Sequence, residues 1–146
     1  MFNCKPTENV AILSNLPPAS QGAGTVTTGW VSVSGFHNLL AVLSVGAMAA
    51  TATLDAKLQQ ATSAAGAGAK DITGKAITQL TQAGGDGDQQ VMINLVPGDL
   101  DEGFGFVTLS ITAAAAASVV GASVMGMDPV YSPATGNHAG VKEIVG

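Results

Sequence analysis

The sequence contains no arginine, and its five cationic residues are all lysines. Proteins that bind nucleic acid neutralise phosphates with clusters of Lys and Arg. The lysines here are scattered, at Lys5, Lys57, Lys70, Lys75 and Lys142, and the net charge is −5. These features predict a protein that has no nucleic-acid partner.

Cysteine is nearly absent, since Cys4 stands alone. A single thiol cannot close an intramolecular disulfide, and a metal site built on it would need every other ligand from elsewhere in the chain. A secretory signal needs an apolar run near the start, where this sequence has Lys5, Pro6 and Glu8. We therefore expect a chain that stays in the cytoplasm where it is made unless a larger particle carries it out.

Charged residues make up 10% of the chain and aromatic residues 4%, whereas hydrophobic residues reach 47%. Ordinary soluble domains are about 25% charged. The interval from Asn9 to Leu54 has no Asp, Glu, Lys or Arg between its ends. Because assembly interfaces are depleted of charge at their core, this gap predicts a surface covered by copies of the same chain or by a larger particle.

Motifs for catalysis are missing. Ser123 follows Gly121 as in a nucleophile elbow, but Met125 takes the place of the second glycine. The stretch GAGAKD begins like a phosphate-binding loop and lacks its Gly-Lys-Ser/Thr ending. His37 and His138 are separated by most of the chain. We predict no enzymatic activity and no cofactor.

Two acidic turns, GDGDQ at 84–88 and DLDEG at 99–103, gather carboxylates. Neither has the twelve-residue loop and terminal Glu of a calcium-binding hand, so both are expected to be hairpin turns with solvated Asp and no metal. Trp30 and Tyr131 could stack on sugars. A carbohydrate-binding β-sandwich module is therefore the alternative to a protein whose role is assembly.

The stretch ITAAAAASVVGASVMGM at 111–127 is uncharged and suits three structures. A membrane span is disfavoured, because few residues favour insertion and acidic residues flank the region without Lys or Arg nearby. A buried helix is opposed by the β-branched residues and by Gly121 and Gly126. The alternation at both ends favours two strands joined through the alanines, with another subunit packed closely against them.

Alternation of apolar and polar residues predicts short strands along most of the chain. In the segment 50–62, Leu54, Ala56 and Leu58 share one strand face, although a helix is the alternative there. The other predicted strands lie in 25–36, 38–46, 71–82, 91–96, 104–112 and after the alanines. Seven or eight strands separated by Gly, Pro and Asp turns predict a single-domain, all-β antiparallel sandwich resembling a jelly roll. A smaller β core with one or two Ala-rich helices is the alternative.

The predicted sandwich spans 25–128, between an extended N-terminal arm at 1–24 and an irregular C-terminal tail at 129–146. In the tail, VKEIV could dock as a short strand. We expect the contacts with partners to involve apolar and aromatic residues of all three regions. These candidate interaction residues are Leu13, Leu16, Trp30, Phe36, Ala115 and Tyr131.

Four stretches resemble a family of small structural proteins from tailed bacteriophages: TGWVSVSGFHNLLAVLSVGA, DAKLQQATSAAGAGAKDITGKAITQLTQ, INLVPGDLDEGFGFVTLSIT and GMDPVYSPA. The resemblance extends from about Thr25 to Ala134. It implies a virion component assembled in the cytoplasm of the bacterial host, namely a capsid decoration (cement) protein. The partners it implies are the major capsid protein and further copies of the chain, with a trimer as one candidate state. A neck or tail connector is the alternative location.

Overall fold

Alternating apolar residues build two antiparallel β-sheets that pack face to face. The computed structural model describes residues 4–146. The strands are β1 Val10–Gln21, β2 Gly24–Thr27, β3 Val31–Ser32, β4 Phe36–Met48, β5 Thr53–Ala61, β6 Lys70–Ala76, β7 Leu80–Thr81, β8 Gln90–Leu95, β9 Phe106–Ala114 and β10 Ser118–Pro129. A short helix, α1 Pro6–Asn9, precedes β1, and a 3-10 turn, Pro97–Asp99, follows β8.

Sheet A has the strand order β1-β10-β4-β8, and sheet B has the order β2-β9-β5-β6 with β3 added on β9 and β7 on β5. Counting β2 with β3 as one strand, and β6 with β7 as one strand, gives eight strands. The first of the eight then pairs with the eighth, the second with the seventh, the third with the sixth and the fourth with the fifth. This nested pairing, folded over into two sheets, is a jelly roll. The predicted all-β sandwich is therefore confirmed.

The core lies between the sheets and consists of Leu, Val, Ile and Ala. Every second residue of β5 points inward, so Leu54, Ala56 and Leu58 are buried as the alternation predicts. They meet Leu109 and Ile111 of β9, the central neighbour of β5 in sheet B. Because large aromatic side chains are scarce, these aliphatic residues account for most of the apolar surface removed from water.

The alanine run forms the turn between two strands, as predicted. β9 ends at Ala114 and β10 begins at Ser118. Ala115 has a φ of +64°, the left-handed conformation that reverses the chain, and Ala49 N donates to Ala117 O at 2.9 Å. Among residues 4–146, no helix is long and apolar enough to cross a membrane.

The predicted N-terminal arm is wrong for residues 10–21, which form β1 and pair with β10 in sheet A. Two register shifts, between Ile12 and Ser14 and between Leu16 and Ala19, interrupt the ladder. Each bulge shifts the inward-facing positions by one residue, so the sequence loses the alternation that would have marked a strand. Residues 1–3 of the arm lie outside the described residues.

The predicted strand over 71–82 is interrupted. Gly74 has a φ of +76°, which ends regular pairing, and Ile77 N donates to Ala56 O. Ile77 and Leu80 both pack against the core. In a regular strand, residues three apart would lie on opposite faces. The tail after Pro129 is irregular as predicted, and VKEIV forms no strand.

Candidate functional site

The outward face of sheet A carries almost no charge. Along β1, β4, β8 and β10 the charged residue is Asp128, next to the end of β10. The side chains that alternate with the buried ones on these strands form what we call the neutral face. The residues at its positions include Ile12, Asn15, Leu40, Val42, Ser44, Gln90, Met92, Asn94, Val119, Gly121, Ser123 and Met125.

The strand register brings apolar residues of the neutral face together. Met125 of β10 lies opposite Ile12 on one side and Leu40 on the other. In the neighbouring row, two residues along the strands, Val42 of β4 lies opposite Met92 of β8. The side chain of Met92 is 68% exposed. Side chains of this kind in adjoining rows form an apolar patch, which on a soluble protein marks a binding surface.

A shallow groove of about 200 Å³ runs over β10 within the neutral face. Gly121 and Ser123 line it on β10, while Pro18 and Val42 line it from the two neighbouring strands. Pro18 packs against Gly121 so closely that a Cβ there would lie 3.0 Å from Pro18 Cγ. The small residues on β10 therefore allow β1 to approach and leave the groove open to a partner's side chain.

The C-terminal tail closes the free edge of β1. His138 N donates to Ile12 O at 2.7 Å, and Ile12 N donates to the side-chain oxygen of Asn137 at 2.9 Å. Closer to the start of β1, Ala134 N donates to Glu8 O at 2.7 Å. These bonds satisfy backbone groups that would otherwise be free at the sheet edge, and they place the tail beside the neutral face.

The β5–β6 side of sheet B, in contrast, carries several charged residues in ion pairs. Three ion pairs lie there and in the adjoining loops: Lys57 with Asp71, Lys70 with Asp101, and Lys75 with Asp99. Lys70 also lies over the ring of Phe104, 4.5 Å from its centroid. Exposed pairs contribute little to stability, which applies to the pairs of Lys57 and Lys70. The side chains of Lys75 and Asp99 are less exposed, at 22% and 32%.

Two carboxylates of this charged side have lowered pKa values. The Gln59 amide and then the Lys57 ammonium bond the carboxylate of Asp71 and lower its pKa. The backbone N–H of Val96 and then the ammonium of Lys75 do the same for Asp99. Both arrangements favour the ionised form, so these groups hold loops and strands together only while they are charged.

Protonation of Asp99 is expected to weaken the domain in acid. Because its folded-state pKa lies below the unfolded one, its stabilising contribution is present near neutrality. It is lost as the pH falls below the unfolded-state pKa and through the folded-state pKa. Asp99→Asn should therefore flatten the acid limb of a plot of urea midpoint against pH. The matched variant Glu102→Gln, at an exposed residue of the same loop, should retain the limb; equal flattening in both would contradict the role of Asp99.

Three of the predicted interaction residues serve the interior instead. Leu13 and Leu16 of β1 are half-buried and pack against the core. Phe36 is 6% exposed, with its ring over Gly126. The ring of Phe36 fills space left by a glycine on the neighbouring strand, and its predicted contact with a partner stays a prediction.

The other three predicted residues lie apart. The indole of Trp30 covers Gly66, where a Cβ would lie 2.5 Å from Trp30 Nε1. Tyr131 is 87% exposed just beyond β10, at the same end of the sandwich as Phe36. Ala115 is exposed at the opposite end, in the β9–β10 turn. Because Ala115 and Tyr131 lie at opposite ends of the sandwich, the fold does not assemble the predicted residues into one site. The partner contacts of all six residues stay predictions.

The acidic turns use carboxylate oxygens to hold their own backbone. Asp86 Oδ2 accepts from Thr81 N at 2.9 Å, and Asp99 Oδ2 accepts from Val96 N at 3.0 Å. Within residues 4–146 no group of three or more His, Cys, Asp or Glu side chains could hold a metal ion. What the neutral face offers instead is apolar contact and hydrogen bonding by neutral groups.

Sequence reasoning missed the neutral face as a surface, although it noted the charge gap that contains β1 and β4. A continuous apolar run such as NLLAVLSVG suggests burial on both faces, and it conceals which residues face outward. The pairing of β4 with β10 and β8 supplies that information.

Compared with known proteins, the chain matches no protein-family model and no curated sequence.

Proposed function

We propose that this chain is a structural protein of a virus particle, a decoration protein that binds the outside of a tailed-phage head and stabilises it. The observation that carries the proposal is the neutral face, a four-stranded surface whose strands carry one charged residue, Asp128. The tail residues Lys142 and Glu143 lie at its β1 side, beside Ile12, so the β4 and β8 part of the face is the uncharged surface. A surface of this composition fits the charge-depleted core of a protein interface. The resemblance of the sequence to phage structural proteins supports the head as the site of binding, with the neck or tail as the alternative.

The distribution of charge supports one orientation on the head. The neutral face would lie against the capsid proteins, and the ion-paired side around Lys57 and Lys75 would face solvent. With a net charge of −5, copies bound side by side repel one another mildly at their hydrated surfaces. The binding energy in this arrangement comes from burial of apolar area, at about 25 cal/mol per Å².

The jelly roll itself is compatible with more than one role. This architecture occurs in viral capsid proteins and also in lectins, so the fold alone does not decide the function. The carbohydrate-binding alternative depends on Trp30, Tyr131 and the two acidic turns. The nitrogen edge of the Trp30 indole lies against Gly66, and the carboxylates of Asp86 and Asp99 bond their own backbone. These contacts favour the structural role.

Substitution on the neutral face is expected to weaken binding to heads. Val42→Lys places a charge in the middle of the patch, and we expect the affinity for purified heads that lack the chain to fall by about 30-fold, as for a contact worth about 2 kcal/mol. Co-sedimentation with heads measures the effect, and electron cryomicroscopy of decorated heads locates the bound chain.

The matched control is Thr73→Lys, an exposed residue of β6 in sheet B. It introduces the same charge on the opposite side of the sandwich and should bind heads normally. Equal loss in both variants would indicate a general charge effect, and unchanged binding by Val42→Lys would overturn the proposed orientation. Absence of the chain from purified virions would overturn the proposed function.

A further inference from the structure

The sandwich has four free strand edges, and three of them are protected against pairing with another chain. β1 contains Pro17 and Pro18, has two bulges and is covered by the tail. The β2 edge is four residues long, and the chain leaves the ladder before β3 begins. β6 carries lysines and an aspartate and is interrupted at Gly74. Prolines, bulges, charges and shortness are the features by which proteins prevent edge-to-edge association.

The fourth edge, β8, has none of these features. Its six residues, QVMINL, contain no charge and no proline. Its register with β4 continues without a shift from Leu39 opposite Leu95 to Ser44 opposite Gln90. In the described part of the chain β8 has β4 as its single strand neighbour, so its other side is an open, straight edge.

The ladder shows which backbone groups this edge presents. Val45 N donates to Gln89 O at 2.8 Å, which marks those two residues as a hydrogen-bonded pair. Such pairs alternate along an antiparallel ladder. Gln90, Met92 and Asn94 therefore direct their N–H and C=O groups away from β4. Within residues 4–146 these groups have no protein partner.

Beside this edge an open groove of about 500 Å³ separates β8 from β6 and the segment after it. Apolar side chains line its inner part, including Ile77, Leu80 and Val91. A strand added to β8 would carry its own inward-facing residues over these side chains. The geometry thus provides both backbone partners and apolar cover for an additional strand.

We infer that β8 pairs with β8 of a second copy of this chain, antiparallel across a two-fold axis. Two identical strands in this arrangement complement each other, as a two-fold interface requires. With Ile93 opposite itself, Met92 lies opposite Asn94 of the other copy, and the inward residues Val91 and Leu95 also face each other. The strand itself is uncharged, so two chains that each carry a net charge of −5 place no like charges opposite each other along the paired strands. Lys75, which lines the groove beside β8, is neutralised by Asp99.

The pairing would join two copies of sheet A into one eight-stranded sheet. The two neutral faces would then form a continuous surface, with each Met92 near its centre. The inference concerns the free protein in solution and does not depend on the proposed binding to heads. A two-fold dimer also differs from the trimer named above as one candidate state, so mass measurements separate the two.

Hydrogen exchange of the full chain, without capsids, tests the pairing directly. We expect sedimentation equilibrium to show a dimer, and we expect the amides of Met92 and Asn94 to exchange more slowly as the protein concentration rises. The amide of Val91, bonded to β4 in either state, should change little. A monomer at all concentrations, a trimer, or a dimer whose Met92 and Asn94 amides exchange as fast as in the monomer would each overturn the inference.

A charge on the edge should prevent dimerisation. Met92→Lys places a lysine on an exposed edge position, and we expect the dimer to weaken by at least about 30-fold. The control Thr27→Lys adds the same charge to an exposed residue on the β2 edge and should leave the dimer intact, as should Met92→Leu. Thermal unfolding confirms that each variant is folded, and a dimer that persists in folded Met92→Lys would overturn the inference.

Discussion

Gly126→Ala is expected to lower the free energy of unfolding by about 3 kcal/mol, the upper part of the range for overpacking. A Cβ at this position would lie 2.5 Å from two atoms of the Phe36 ring. That ring is buried between β4 and β10, so it cannot move aside into solvent without exposing core. Urea denaturation of the purified variant, with the slope unchanged, measures the loss.

A double-mutant cycle identifies the cause of this destabilisation. Phe36→Ala removes the ring, so Gly126→Ala made in that background should cost far less than in the parent chain. Gly35→Ala serves as the control, because nothing lies within 4 Å of a Cβ there and its φ is not positive. We expect that control to change stability by less than about 0.5 kcal/mol. Additive effects of the two main substitutions would show that the contact with Phe36 is not responsible.

Leu109→Ala is expected to cost about 4 kcal/mol of unfolding free energy. Leu109 is fully buried in β9, opposite Leu58 of β5. The strands around it are hydrogen-bonded on both sides and cannot collapse into the cavity. In a domain stabilised by about 5 kcal/mol, the lower end of the usual range, this loss leaves a substantial unfolded fraction at 37 °C.

The effect depends on burial, which two comparison variants test. Leu109→Met keeps most of the volume and should cost less than about 1.5 kcal/mol. Val96→Ala removes apolar atoms from a residue that is 44% exposed and should change stability by less than about 0.5 kcal/mol. If Val96→Ala were as costly as Leu109→Ala, the assignment of Leu109 to the centre of the core would be wrong.

Local alternation was sufficient to predict the strands of sheet B with one face in the core. Leu54 and Leu58 alternate with polar residues, and the inward side follows directly. Similarly, the β-branched residues after the alanines were sufficient to predict two successive strands, joined through the alanines, in place of a helix. β1 could not be predicted in this way, since its two bulges shift the inward positions and its proline pair resembles a linker.

The neutral face was only partly predictable. The charge gap before Leu54 indicated a covered surface, but the surface is assembled from strands that are distant in sequence. Met92 and Val42 become neighbours through the pairing of β8 with β4, and neither residue is distinctive in its own segment. The aromatic residues predicted to contact a partner do not belong to the neutral face. Phe36 and Trp30 fill spaces beside glycines instead.

The pairing of β1 with β10 also governs how the molecule folds. Val10 lies opposite Met127, so β1 leaves the ribosome well before its partner strand has been synthesised. Contacts so distant in sequence slow folding, and incompletely folded chains with uncharged strands are prone to aggregate. We therefore expect sheet A to close last, with the tail sealing the β1 edge only once β10 is in place, and the nascent chain to depend on chaperones until then.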